Sequence, residues 1–355
     1  MLTFPPEYFQ PETRDGFYID SKMKHAWAAQ LEVLEEIKRI CTLHDIRFFA
    51  DWGSLLGAVR HHGFIPWDDD LDIGMLRDDY MRFLNIAPAE LSQFFELKSL
   101  YNDPSHDNVK CRVITGRFMN FDKDYLLRFH ECPYVIGIDI FPIDYIPRDN
   151  TRMKEQTELI ELVMSIAASI PHEPPYGEEA INLIHNLEHS LGITFNWNNR
   201  IFHELKKLVD ILSSSCPSKD ADEVCSMIDL AGGWDYHALK EWYATSSDMP
   251  FENTSIPVPV GYDGILRIKY GEDYMTPIQR SSSHDYPFYK KQETALKDVI
   301  CSNTDNSLIA SINSAVVNFA ILISSCLKLF FDRICVSGCF FWTMQTKEPQ
   351  IHFAD

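Results

Sequence analysis

Three aspartates at alternate positions, Asp68, Asp70 and Asp72, stand in the stretch PWDDDLDIGM. On an extended backbone alternate side chains fall on one side, so these carboxylates are expected to converge. Like charges a few ångströms apart are unfavourable unless a cation neutralises them. Hard oxygen ligands of this kind suit Mg²⁺, or Mn²⁺ in its place, which keeps positions for water and substrate phosphate. Upstream, Gly53-Ser54 stands between a strand-like run and a helix-like run. Glycine lets the backbone approach a ligand closely, and N–H groups at a helix start favour an anion. A phosphate grip beside a carboxylate-held metal ion is the working core of a nucleotidyltransferase-type site. Arg60, His61 and His62 lie between the two features and could compensate donor charge. A lone loop histidine, however, more often serves the loop itself.

Two blander readings compete. A solvated acidic loop would not favour the interleaved Trp67, Leu71, Ile73 and Met75. A calcium loop of EF-hand type matches Asp-x-Asp-x-Asp, but it wants Gly where Ile73 stands and Glu where Asp79 stands.

The elements that must position these groups are partly readable. Trp27, Leu31, Leu34, Ile37 and Cys41 step by three and four, which predicts a helix from a Ser21 cap to about His44. Ile46 to Ala50 reads as a strand, Leu55 to Arg60 as a short helix, and HHGFIPWDDD as a loop leading into a strand at Leu71 to Ile73. Glu96 to Leu100 and Val109 to Thr115 read as strands, and YVIGIDIF, Tyr134 to Phe141, as a strand ended by Pro142. Residues 150–249 read as a helical insertion, with Glu155 to Ile170 and Asn198 to Leu212 as its clearest helices. From Ile256 the text turns to strands again, with Arg267 and Lys269 alternating in ILRIKY. They could meet phosphate or acceptor, although an ordinary solvated strand face fits nearly as well. Trp52, Trp67 and Tyr262 could box a quaternary ammonium by cation–π contact, although single aromatics are more commonly core.

Composition narrows the chemistry. The 355 residues allow about two domains at roughly 150 residues each, or one with a large insertion. Thirty-two basic against 52 acidic side chains give a formal charge of −20. That surface repels a phosphate backbone and argues against a general nucleic-acid binder. A substrate carrying phosphates then needs a basic pocket or a metal ion. Nine cysteines, an odd number without a CxxC pair, point to a reducing compartment. MLTFPPEYFQPETRDG lacks a basic start followed by an apolar run, so no signal peptide is expected and the catalytic part is placed in the cytoplasm.

The segment DWGSLLGAVRHHGFIPWDDDLDIGM, Asp51 to Met75, resembles the signature of the LicD family, which includes fukutin-related proteins. The resemblance continues through GIDIFPID, Gly137 to Asp144, and VPVGYDGILRIKYGEDYMTP, Val258 to Pro277. It implies an α/β (α+β) fold: a nucleotidyltransferase-like mixed sheet flanked by helices, with a helical insertion and a helical C-terminal tail. The corresponding division is a catalytic core over 1–149, the insertion over 150–249, a return segment over 250–295 and the tail over 296–355. A nucleotidyltransferase-like site usually has a further carboxylate on a neighbouring strand. Asp139, inside an apolar strand, is the choice for it, with Asp144 better suited to capping a turn.

The activity so implied is Mg²⁺-dependent transfer of a phosphocholine-type group from a CDP-linked donor to a hydroxyl of a cell-surface or lipid-linked glycan, with release of CMP. Asp68, Asp70, Asp72 and Asp139 would hold the metal. Gly53, Ser54, Arg60, His61 and Arg267 would meet phosphate or nucleotide. Ribitol-phosphate or other sugar-phosphate transfer, true nucleotidyl transfer with diphosphate release, and an inactive glycan- or nucleotide-binding scaffold are the rivals. Finally, Leu308 to Leu327 is a stretch of about twenty residues without a charged side chain, the length of a membrane helix. Its three-four apolar pattern also suits a helix packed on protein. The expectation is a cytoplasmic enzyme whose tail touches the inner face of the membrane peripherally, if at all.

Overall fold

A short hairpin, β1 (Glu12–Arg14) and β2 (Phe17–Ile19), leads into the 23-residue helix α1 (Ser21–Leu43). In the computed structural model, which describes residues 1–279 and 286–302, the cap of α1 is Asp20 rather than Ser21. The Asp20 carboxylate accepts from the Met23 N–H at 2.8 Å, and its negative charge suits a helix N-terminus. Ser21 is already helical and donates to the Phe9 carbonyl at 2.7 Å. The expected apolar face of α1 is buried throughout, each large side chain contributing about 1.5–3 kcal/mol.

Next come β3 (Phe49–Ala50), shorter than expected, and α2 (Trp52–Arg60), then β4 (Asp72–Leu76), α3 (Arg77–Glu90) and β5 (Glu96–Lys98). After these follow β6 (Cys111–Ile114), α4 (Lys123–Arg128) and β7 (Gly137–Ile146). The sheet order is β3-β4-β7-β6-β5, with β4 and β7 parallel and the other neighbours antiparallel. Helix α1 packs across β6 and β7. The result is the expected mixed sheet flanked by helices.

Strand β7 does not stop at Pro142. On one side it pairs with β6 through Ile140, and from Asp144 it pairs with β8 (Glu223–Cys225). Pro142 falls in the gap between these two partners, a place where a residue without an N–H is tolerated.

Helices α5 (Asn150–Ser169), α6 (Glu178–Leu191) and α7 (Ile201–Ser213) share a core with α8 (Met227–Ala231), built on Ile160, Val163, Ile184, Ile201, Leu205 and Met227. That core reaches Ile146 at the end of β7. β9 (Ala238–Leu239) pairs with β8, and β10 (Ser246–Phe251) and β11 (Thr254–Pro259) form a separate hairpin. Tyr262–Tyr270, expected as a strand around ILRIKY, is helix α9. Ile265 and Leu266 are buried, Asp263 and Arg267 pair one turn apart at 2.8 Å, and Gly271 ends the helix at φ 91°. The alternation of Arg267 and Lys269 matched a strand only because two residues are too few to fix a period.

A second unit starts at Phe288, and its described part is the helix α10 (Tyr289–Ser302). The uncharged stretch Leu308 to Leu327 lies outside the described residues. Among the described residues, no helix is long and apolar enough to cross a membrane.

Candidate active site

Asp51 begins the site. It caps α2 by accepting from the Trp52 N–H at 2.8 Å, and it also pairs with the Lys269 ammonium from α9. Its own N–H donates to the Asp72 carbonyl at 3.1 Å, while the Asp72 N–H donates to Ser54 Oγ at 2.7 Å. The start of α2 is thus stitched to the start of β4. Ser54, expected at a phosphate, has its hydroxyl turned to this backbone and is buried. Gly53 lies against the acidic loop: a Cβ there would stand 2.3 Å from Asp68 Oδ2.

The loop between α2 and β4 is held from three directions. Phe64 stacks on Trp27 at 4.7 Å, the Glu252 N–H donates to the His62 carbonyl at 2.9 Å, and Glu252 Oε1 accepts from the Phe64 N–H at 3.2 Å. Gln30 of α1 donates to the Asp69 carbonyl at 2.6 Å. Asp68, Asp69 and Asp70 come out of this loop with one carboxylate oxygen each within 4.8 Å of one another. The strand starts only at Asp72, so the alternation expected from Asp68 onward does not apply. Three consecutive residues converge instead, and Asp69 joins a cluster from which a strand would have excluded it.

Asp72 and Asp139 stand opposite each other in the parallel β4–β7 register, and Arg112 of β6 stands opposite Asp139 on the other side. Directly opposed residues share a face, so a row runs across three strands. Lys110, just ahead of β6, places its ammonium 2.5 Å from Asp139 Oδ2, and Arg112 Nε approaches Asp139 Oδ1 at 3.1 Å. Burial pushes the Asp72 acid well above its ordinary value, and Asp70 and Asp139 add to the push while Lys110 opposes it. Burial acts the same way on Asp139, but Arg112 and Lys110 together outweigh it and hold that acid low. Burial and then Asp51, Asp68 and Asp72 push up the Tyr270 phenol, which brings a protonated hydroxyl into the same field.

The donor set fits a hard divalent cation. It offers carboxylate oxygens alone, in a partly buried place where negative charge outweighs the cations nearby. A small cleft opens beside Asp51, lined also by Trp52, Phe141, Tyr236 and Lys269 among others. The Lys269 ammonium lies 4.0 Å from the Trp52 ring centroid and 5.4 Å from that of Tyr236.

Of the residues expected from the sequence, the fold brings Asp68, Asp70, Asp72, Asp139, Gly53 and Ser54 together. Arg60 and His61 lie at the other end of α2. Arg60 donates to the Tyr274 carbonyl at 2.8 Å, and His61 pairs with Asp15 at 3.2 Å. Arg267 is on the outer face of α9, 43% exposed and paired with Asp263 and Glu272. Trp67 packs edge-on to Phe17 and His61 rather than beside Trp52. Asp144 is buried against Arg77 at 2.6 Å, away from the row. Sequence reasoning missed Asp51, Asp69, Lys110, Arg112 and Tyr270. An aspartate before Trp52-Gly53 is a readable cap signal; Lys110 and Arg112 depend on long-range pairing.

Gly53→Ala is expected to keep or slightly raise the melting temperature, because alanine is favoured in a helix by about 1 kcal/mol. It should nevertheless weaken Mn²⁺ binding several-fold, since the new methyl group must displace the Asp68 carboxylate. A Mn²⁺ titration alongside a thermal melt checks both, and unchanged affinity would remove Asp68 from the metal site.

Residues 45–158 match the family described as LicD/FKTN/FKRP, nucleotidyltransferase domain. The chain is 25% identical over 250 residues to the lipopolysaccharide cholinephosphotransferase LicD of Haemophilus influenzae, covering 69% of this chain and 88% of that protein. It is 26% identical over 110 residues to the human ribitol 5-phosphate transferase FKRP, covering 31% of this chain and 19% of that protein. Both relatives are named as transferases of phosphate-linked groups.

Proposed function

We propose that this chain, whose residues 45–158 match the LicD/FKTN/FKRP nucleotidyltransferase domain, transfers a phosphocholine-type group from a CDP-linked donor to a glycan hydroxyl, releasing CMP. The observation that carries this reading is the row Asp72–Asp139–Arg112 beside the Asp68–Asp70 cluster: acids for a metal ion on one side, cations for phosphate on the other. Asp68, Asp70, Asp72 and Asp139 would hold Mg²⁺ or Mn²⁺. When bound, that ion polarises phosphoryl oxygens and offsets charge on the leaving nucleoside monophosphate. Lys110 and Arg112 supply positive charge where the donor diphosphate must lie. Gly53 leaves room for the Asp68 carboxylate, and Ser54 fixes the position of Asp72 through its backbone. Trp52 and Tyr236, which line the small cleft beside Asp51, hold the Lys269 ammonium at their ring faces.

Choline is preferred over ribitol because the match to LicD spans most of that protein, whereas the match to FKRP spans a fifth of it. The FKRP match keeps a sugar-alcohol phosphate as the second reading. Incubation with CDP-choline, CDP-ribitol or CTP, each with Mg²⁺ and a glycan acceptor, separates the cases. CMP from CDP-choline is expected. CMP from CDP-ribitol alone would replace choline by ribitol, diphosphate from CTP would mean nucleotidyl transfer, and no product from any of them would leave a binding scaffold.

A further inference from the structure

Lys110 makes the shorter of the two ion pairs to Asp139, and its surroundings differ from those of an ordinary structural ion pair. Its ammonium is 2.5 Å from Asp139 Oδ2 and 4.9 Å from the Phe141 ring centroid, and Phe141 lines the cleft. Arg112 approaches the other oxygen of the same carboxylate, so Asp139 faces two cations. Asp72, its register partner, lies in a field dominated by Asp70 and Asp139, opposed by Lys110. The Lys110 side chain is 29% exposed, so the ammonium is not sealed in. Its backbone is fixed, because its carbonyl shares a hydrogen bond with His106 Nε2 at 2.7 Å and the His106 carbonyl shares one with His203 Nδ1 at 2.9 Å. An anchored backbone with a partly open ammonium on a four-carbon stem can change partner without moving the strand.

We propose that Lys110 is an exchangeable counter-ion: it neutralises Asp139 while the site is empty and passes to a phosphate oxygen of the donor once a divalent cation binds the carboxylates. The inference rests on the metal-and-diphosphate reading above and adds a role for one residue. Its physical basis is competition. The ammonium and a divalent cation need the same oxygens, and two cations within a few ångströms repel each other. A diphosphate anion offers the displaced ammonium a new charge-assisted partner, while Arg112 stays on its strand beside Asp139. Lys110 therefore weakens the binding of metal alone and strengthens the binding of the nucleotide. By linkage, metal and nucleotide should each favour the other.

The test uses the full chain and two binding measurements. Free Mn²⁺ is followed by its spin resonance without nucleotide, and CDP binding is followed by calorimetry in saturating Mn²⁺. Lys110→Met should bind Mn²⁺ alone several-fold more tightly than wild type, and CDP about tenfold more weakly, the scale of one hydrogen bond to a charged group. Lys110→Arg, which keeps the charge, should stay near wild type for Mn²⁺. Lys110→Gln gives the same readouts if the methionine variant does not fold. Mn²⁺ binding by wild type with no gain in Lys110→Met overturns the exchange and leaves the metal reading standing. Unchanged CDP affinity also overturns it, since the ammonium then never reaches phosphate. Failure of every protein to bind Mn²⁺ overturns this inference together with the metal reading beneath it.

Discussion

In an assay of CMP release, Asp72→Asn is expected to lose about a hundred- to a thousandfold of the rate, the scale of removing one group that stabilises developing charge. The fold should survive. Asp72 stands at the first position of β4, opposite Asp139, and asparagine keeps its volume while removing the charge. Burial and the carboxylates of Asp70 and Asp139 already disfavour the ionised form of Asp72. Neutralising it should therefore leave the metal-free melting temperature at or above that of wild type. Added Mg²⁺ should raise the melting temperature of wild type and much less that of Asp72→Asn. Asp70→Asn should lose activity similarly. The combination is diagnostic, because a merely structural aspartate would lose stability when changed. A variant with more than a tenth of the wild-type rate, or full wild-type activity in excess EDTA, would sink the assignment of the row.

How much of this site was legible depended on the range of the interaction that makes it. Helix α1 was readable because its apolar residues repeat within the helix itself. Asp139 was readable because a carboxylate inside an apolar strand needs a partner, even though the partners, Lys110 and Arg112, were not. Those two reach Asp139 only after β6 and β7 have paired, and nothing near Lys110 in the chain announces that. Asp69 was missed for a different reason. Alternation holds on a strand, but the strand begins at Asp72, and the tight loop before it brings neighbouring side chains together. Helix α9 was misread from Arg267 and Lys269, while the better signal lay beside them in the Asp263–Arg267 spacing and in Gly271. Arg267 then turned outward and Lys269 inward to Asp51. A period error of this kind exchanges which of two basic residues can reach the site.

The largest expected loss of stability lies at the far end of the same two strands. Arg77 follows β4 directly; its Nε bonds Asp144 of β7 at 2.6 Å, and its Nη1 bonds Asp210 of α7 at 2.8 Å. The three side chains are 4%, 2% and 1% exposed, so water cannot replace a missing partner. Tyr101 also donates to Asp210. Arg77→Met is expected to cost about 3–5 kcal/mol, because it strands two buried carboxylates. The pH dependence has a definite sign. Burial raises the Asp144 acid even with Arg77 present, and removal of the guanidinium raises it further. A carboxyl whose folded value lies above its unfolded value of about 3.9 holds its proton better in the folded chain. Stability is then greatest at low pH and falls as pH rises toward the folded value. The deficit of Arg77→Met should accordingly be smaller near pH ~5 than near pH ~7 in urea titrations. A loss below ~1 kcal/mol, or a deficit that shrinks as pH rises, would show that the triad does not behave as a buried charge cluster. Replacing all three by Met, Leu and Leu should recover most of the loss, since the half-exposed Tyr101 can turn its hydroxyl to water. At low temperature, where Arg77→Met is still folded, CMP release should stay near wild type. Arg77 acts at the end of β4 remote from Asp72, holding the strands whose opposite ends carry the acids.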